Sequence, residues 1–154
     1  MGSRGRAALA AGKDQDLTEP ESLDVDVASW RAVRNAKVAQ LRADGIEPYP
    51  YSFAATHHAQ QVTDLGEAVT TEPGLAISVA GRLMARRGHG KAAFGHVLDE
   101  SGRIQVYCRE DVMGAEAYAL WERLDIGDWV GVEGAVFRTR TGEITVQAKR
   151  VTLL

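Results

Sequence analysis

The chain has a single cysteine among its 154 residues, no long apolar run and no glycine pattern that completes a nucleotide loop. Each absence removes a class of protein. Cys108 has no second cysteine to pair with, so an internal disulfide is excluded, and its setting in RIQVYCR predicts a buried strand thiol. No stretch approaches the roughly 20 apolar residues that cross a bilayer. MGSRGRAALAAGKDQD breaks into charge before a signal-peptide core can form, which predicts a cytoplasmic protein without a membrane partner. A Walker A loop needs glycine five residues before its Gly-Lys and Ser or Thr directly after, and around Gly90-Lys91 those positions hold Ala85 and Ala92. A GxGxxG loop fails too, because Ala93 stands where its third glycine belongs after Gly88 and Gly90. His57, His58, His89 and His96 fall in two separate parts of the chain and do not make the closely spaced four-ligand set of a structural zinc, so no metal site is expected. Neither a Ser-His-Asp order nor a nucleophile elbow is present, and no catalytic residue is expected.

The chain does contain enough for one ordinary domain: 45% of its residues are hydrophobic and 25% charged. The net charge is −3, yet Arg82, Arg86, Arg87, Lys91, Arg103 and Arg109 face only Asp99 and Glu100 in their part of the sequence. A basic region on an acidic protein predicts a local anion partner rather than general coating of a polyanion.

The organisation is legible in the turn residues and the periodicity. Residues 1–28 are polar, acidic and aperiodic, which predicts a disordered acidic leader. In SWRAVRNAKVAQLRADG, Ser29 stands at an N-cap position, Trp30, Val33, Lys37 or Val38 and Leu41 recur at helical spacing, and Gly45 is placed to end the helix. IEPYPYSF reads as an extended connector, and THHAQQVTDLGEAV as a short helix opened by Thr56. Together these predict a helical segment over residues 29–70 that packs on a strand-rich domain over residues 75–154. That domain opens with three strand-length runs separated by GHG and SG, continues with the helix AEAYALWERL, and ends with DWVGVEGAVFRTR and EITVQAKRVTLL joined by a tight turn at Thr141-Gly142. Five strands with a helix between the third and fourth is the order of the OB-fold, a small Greek-key barrel, mainly β, which commonly binds oligonucleotides on one face. In the last strand Ile144, Val146 and Ala148 alternate with Thr145, Gln147 and Lys149, the pattern of a barrel wall with one side inward.

Single-stranded nucleic acid is held by bases stacked on aromatic rings, by Arg and Lys on phosphates, and by amide or carboxylate groups on base edges. Phe94 on the second strand, Gln105 on the third and Arg86 and Arg87 at the end of the first supply those types on adjacent strands. A strand Phe is more often core than exposed, and Ala92 and Ala93 beside Phe94 leave its facing open.

Three separated stretches, GIEPYPYSFAATH, VAGRLMARRGHGKAAFGHVLDESGRIQVY and LDIGDWVGVEGAVFRTRTGEITV, occur in the order in which they resemble the N-terminal anticodon-binding domain of bacterial-type class II lysyl-tRNA synthetases. The resemblance runs from about Arg34 to Leu154. It implies a tRNA(Lys) anticodon loop as partner, with Phe94 stacking on the central uridine and Gln105 bonding to its edge. Glu143 would contact a neighbouring base and Arg87 a base or phosphate, with Arg82, Lys91 and Arg138 as further backbone contacts. It also implies a homodimeric parent enzyme that joins lysine to tRNA with ATP and Mg²⁺ in a separate catalytic domain. No class II catalytic motif occurs in this chain, which is therefore expected to be inactive alone, as a domain excised from that enzyme or as a stand-alone relative of it. An aspartyl- or asparaginyl-tRNA synthetase anticodon domain is the nearest alternative, and a generic single-strand-binding OB-fold protein the next. PYP, GKAAF and TGE favour lysine.

Overall fold

The computed structural model describes residues 23–154. The expected leader lies outside the described residues as far as position 22. Helix α1 spans Leu23–Ala43, so it starts six residues before Ser29, the expected cap. The intervening residues include neither Gly nor Pro, and nothing in the backbone stops the helix from extending back through them. At the other end Gly45, at φ 76°, takes the left-handed C′ position, and the amide of Ile46 returns to the carbonyl of Leu41 at 2.9 Å. Among the described residues, those up to Gln40 belong to one unit and those from Leu41 onward to a second, which holds the strands and the groove they build.

Five strands make the second unit: β1 (Ala76–His89), β2 (Ala92–Leu98), β3 (Arg103–Arg109), β4 (Trp129–Arg138) and β5 (Ile144–Leu153). They close into a barrel in the order β1-β2-β3-β5-β4, with β3 and β5 parallel and the other pairs antiparallel. That is the OB-fold expected from the element order. Inside the barrel stand Val79, Leu83, Val97, Ile104, Val106, Val132 and Val146, each at most 2% exposed. Cys108 is fully buried among them, and burial pushes its thiol well above the ordinary cysteine pKa. A thiol-directed maleimide at pH 8 is accordingly expected to leave the native protein unlabelled and to label one site after denaturation; prompt labelling of the folded chain would contradict this packing.

Two short helices come after β3: α3 (Glu110–Met113) and α4 (Ala115–Arg123). The sequence pattern indicates only the second, because four residues are too few to show a period. Trp121 on α4 is completely buried, and a Cβ at Gly95 on β2 would overlap its ring, so the absence of a side chain there makes room for the indole. Tyr118 donates to the Gly90 carbonyl at 3.0 Å, and Arg86 donates from Nη1 to the carbonyls of Trp121 and Glu122 at 2.8 and 2.6 Å. Arg86 thus satisfies carbonyls at the C-terminal end of α4, where a cation is also favoured by the helix dipole.

Before the barrel, α2 spans Ala59–Thr63 and is capped at His58 rather than opened by Thr56. Thr56 is engaged with β1 instead: its amide meets the Ser78 carbonyl at 2.9 Å and its hydroxyl accepts from the Ser78 amide at 2.9 Å. The first amide of α2, Ala59, donates to the Asp99 carboxylate at 2.7 Å, and Gln60 donates to the Ser101 hydroxyl at 3.0 Å, so the β2–β3 turn caps this helix. Burial alone would raise the Asp99 pKa, but donation from the Ser101 hydroxyl and from the amides of Ala59, Ser101 and Gly102 outweighs it and holds the carboxyl below its ordinary value.

Two irregularities set which side chains face out. In β1, Leu83 pairs with Val97 and Ala85 with His96, leaving Met84 as a bulged extra residue. In β5, Lys149 is extra between Ala148 and Arg150, which pair with Gly134 and Glu133. The expected alternation in β5 holds for Val146 and Ala148, which are buried, but Thr145 on the other face is buried as well. The outer surface of the barrel is itself covered at that point.

Candidate nucleic-acid interface

The outer surface around Thr145 is where Arg87, Phe94, Gln105 and Glu143 meet. Register places Arg87 opposite Phe94 and Phe94 opposite Tyr107, and on the next rung His96 opposite Gln105, Gln105 beside Thr145 and Thr145 opposite Phe137. Side chains two residues apart on a strand share a face, so these two rungs form one polar and aromatic surface. A groove of about 740 Å³ lies over it, bounded on one side by Arg87 and Gly88 and on the other by the β4–β5 turn through Thr139, Arg140, Thr141 and Glu143. Arg87, Phe94, Gln105 and Glu143, expected from the sequence to act together, all line it.

Phe94 is not core. Its neighbours Ala93 and Val97 point into the barrel, while Phe94 itself is partly exposed on the outer face and stacks on Tyr107 with centroids 4.4 Å apart and planes 20° from parallel. Phe137 flanks Tyr107 at 6.1 Å, tilted by 45°. Stacked rings in an open groove offer a π-face that any base can cover. Gly88 brings the end of β1 into this position: its φ of 136° is in the range that disfavours side chains, and a Cβ there would lie 2.6 Å from the Ala92 carbonyl oxygen.

The polar groups are held from beneath. Gln105 is 5% exposed, and its Nε2 donates to the Thr145 hydroxyl at 3.0 Å. That hydroxyl donates onward to the Glu143 carbonyl at 3.2 Å. The Glu143 carboxylate is exposed, with Oε1 3.8 Å from His96 Nε2. The turn that carries it is tightened by Gly142 at φ 92° and by hydrogen bonds from Thr139 to the Glu143 carbonyl. The surface combines two guanidinium groups, stacked rings, and an amide with a carboxylate, the group types that respectively suit phosphates, base faces and base edges.

The three weaker candidates are not brought to the groove. Arg138 is a structural clamp, its guanidinium donating to the carbonyls of Val69, Gly142 and Gly66. Arg82, midway along β1, pairs with Leu98 at the end of β2 and Trp129 at the start of β4 and lies 5.2 Å over the Trp129 ring. Lys91, in the β1–β2 turn, stands 3.7 Å from Glu110. The basic cluster in the sequence is therefore dispersed in space, with Arg109 also paired to Asp111 and Arg86 turned to α4. Strand alternation and turns separate charges that are close in the chain. Tyr107, Phe137, His96, Thr145 and Arg140 were not singled out from the sequence. Tyr107 carried a usable signal, since it stands two residues after Gln105 on a strand.

Comparison with known proteins agrees with this geometry. The chain is 45% identical over 139 residues to the lysine–tRNA ligase of Pelotomaculum thermopropionicum, a match that covers 90% of this chain and 27% of that protein. It is 50% identical over 114 residues to the lysine–tRNA ligase of Carboxydothermus hydrogenoformans, covering 74% of this chain and 23% of the relative. The chain thus spans about a quarter of the length of these relatives. Among the described residues, no helix is long and apolar enough to cross a membrane. Residues 77–154 match the tRNA anticodon family, whose description is an OB-fold nucleic acid binding domain, and they contain nearly the whole barrel and the entire groove. By that match and by its five-stranded closed barrel, the chain belongs to the tRNA anticodon family of OB-fold nucleic acid binding domains, and it is similar to about a quarter of the length of lysine–tRNA ligases.

Proposed function

We propose that the groove reads the anticodon loop of tRNA(Lys), with Phe94 and Tyr107 as the stacking platform, Gln105 and Glu143 as readers of base edges, and Arg87 with Arg140 holding phosphate. The observation that carries this reading is the convergence of Arg87, Phe94, Gln105 and Glu143 on one groove from β1, β2, β3 and the β4–β5 turn. Stacking tolerates every base, so selectivity falls to the amide and the carboxylate. This suits a uridine-rich anticodon, because uracil stacks comparatively weakly and edge contacts must supply the difference. We assign the ligase reaction, with its ATP and Mg²⁺, to the part of the relatives that this chain does not match, and read the parent enzyme as a cytoplasmic homodimer. The same reading divides the chain into an acidic leader, a helical segment and the barrel, and gives recognition to the barrel.

Binding of the chain to short stem-loops tests this. The lysine anticodon stem-loop is expected to bind more tightly than the aspartate and asparagine stem-loops, and replacing its central anticodon base should weaken binding by roughly 1–3 kcal/mol. Preference for an aspartate or asparagine stem-loop would overturn the assignment to lysine. Equal affinity for unrelated single-stranded DNA would make the domain a general strand binder.

A further inference from the structure

The amide of Gln105 can face the groove with either its oxygen or its nitrogen, and the two choices select different bases. Their surroundings decide between them. The Thr145 hydroxyl is fully buried and has one proton, which it directs to the Glu143 carbonyl, a group that can only accept. To Gln105 the hydroxyl therefore offers a lone pair, and Nε2 of Gln105 occupies it at 3.0 Å. Nitrogen, hydroxyl and carbonyl form a chain of hydrogen bonds with one direction, ending on an acceptor. Oε1 of Gln105 receives no hydrogen bond from the protein, yet among the described residues the sole buried side-chain polar atom without a partner is Trp121 Nε1. Oε1 therefore keeps access to solvent, and the open space that Gln105 lines is the groove.

We propose that Thr145 is a specificity-determining positioning residue: by holding the Gln105 amide through its nitrogen it presents Oε1 to the stacked base, selecting a ring N–H such as N3–H of uracil over the bare ring nitrogen of cytosine. This deepens the proposed anticodon recognition and rests on it. With the ring fixed by stacking on Phe94, N3 of uracil donates to Oε1, whereas N3 of cytosine sets a lone pair against a lone pair. Turning the amide to suit cytosine would set Oε1 against the Thr145 oxygen unless the hydroxyl gave up its bond to the Glu143 carbonyl, so the wrong base carries either a repulsive contact or the loss of a hydrogen bond. The same hydroxyl ties Gln105 to the backbone of Glu143, which keeps the two edge-reading groups in fixed register.

The test compares binding of stem-loops carrying uridine or cytidine at the central anticodon position, with thermal melting of each variant as a control. Wild type and Thr145→Ser, which keeps the hydroxyl, should share the same preference for uridine. Thr145→Val has the same shape without the hydroxyl and should lower the uridine-to-cytidine ratio by about tenfold or more, mainly through better binding of cytidine. Gln105→Glu supplies an independent variant: an acceptor-only side chain should weaken both stem-loops yet retain the preference for uridine. Thr145→Val with an unchanged ratio, or Gln105→Glu with uridine preference abolished, would overturn the proposal even where wild type discriminates as expected. Wild type indifferent to the central base would remove the anticodon reading, and this inference with it.

Discussion

Trp121→Ala is expected to destabilise the domain by roughly 3–5 kcal/mol, the range for deleting a large buried aromatic. Trp121 is 0% exposed and fills the space left by Gly95, whose backbone lies closer to the ring than any residue with a Cβ would permit. Alanine would leave a void bordered by β2 and α4, and α4 could not collapse into it without disturbing the bonds from Arg86 to its terminal carbonyls and from Tyr118 to Gly90. At roughly 3 °C per kcal/mol for a chain of this size, the melting temperature should fall by about 10–15 °C. Trp121→Phe should lose far less. It keeps much of the packing and discards an indole N–H that has no hydrogen-bond partner, which offsets part of the lost contact. Urea unfolding of both variants measures the difference. A loss under about 1 kcal/mol for Trp121→Ala would mean that the indole does not seal the barrel.

Phe94→Ala should separate recognition from stability. Removal of the ring takes away the upper member of the pair with Tyr107 and is expected to weaken stem-loop binding by roughly 1–3 kcal/mol. That is about a five- to hundred-and-fifty-fold rise in Kd. The effect on melting should be much smaller than that of Trp121→Ala, because Phe94 lies on the outer face and leaves the interior rows of Val97, Ile104 and Val106 intact. Anisotropy titration and a melting curve on the same preparation decide the point. Unchanged affinity would show that bases stack elsewhere. Loss of cooperative unfolding would show that the Phe94–Tyr107 pair belongs to the folding core.

The contrast between these two aromatics shows what could be read in the sequence. The strand order was legible because turn glycines punctuate runs of alternating residues, and because a single helical stretch falls between the third and fourth of them. Within the site, Arg87, Phe94, Gln105 and Glu143 were legible through resemblance, and three of the four residue types also through the chemistry of single-strand binding. The facing of Phe94 was not legible: Ala92 and Ala93 fit either side of a barrel wall, and only pairing with Tyr107 and Arg87 fixes it. Arg138 and Arg86 could not be told from phosphate-binding residues, because their acceptors are carbonyls distant in sequence, at Gly66, Val69, Trp121 and Glu122. Thr145 was hidden by the rule that revealed its strand. Alternation assigns it to the polar side, and the rule assumes that this side meets water.

Arg86 and Arg87 are identical letters side by side, and the bulge at Met84 gives them separate tasks. Strict alternation from the inward Leu83 would turn Arg86 outward and Arg87 inward. The extra residue reverses this, setting Arg86 level with Gly95 on the side of α4, and Arg87 level with Phe94 in the groove. A single unpaired residue thereby uncouples two hereditary risks within one dipeptide. Damage to the first arginine is expected to be inherited as a folding defect, and, on the proposed reading of the groove, damage to the second as a loss of partner.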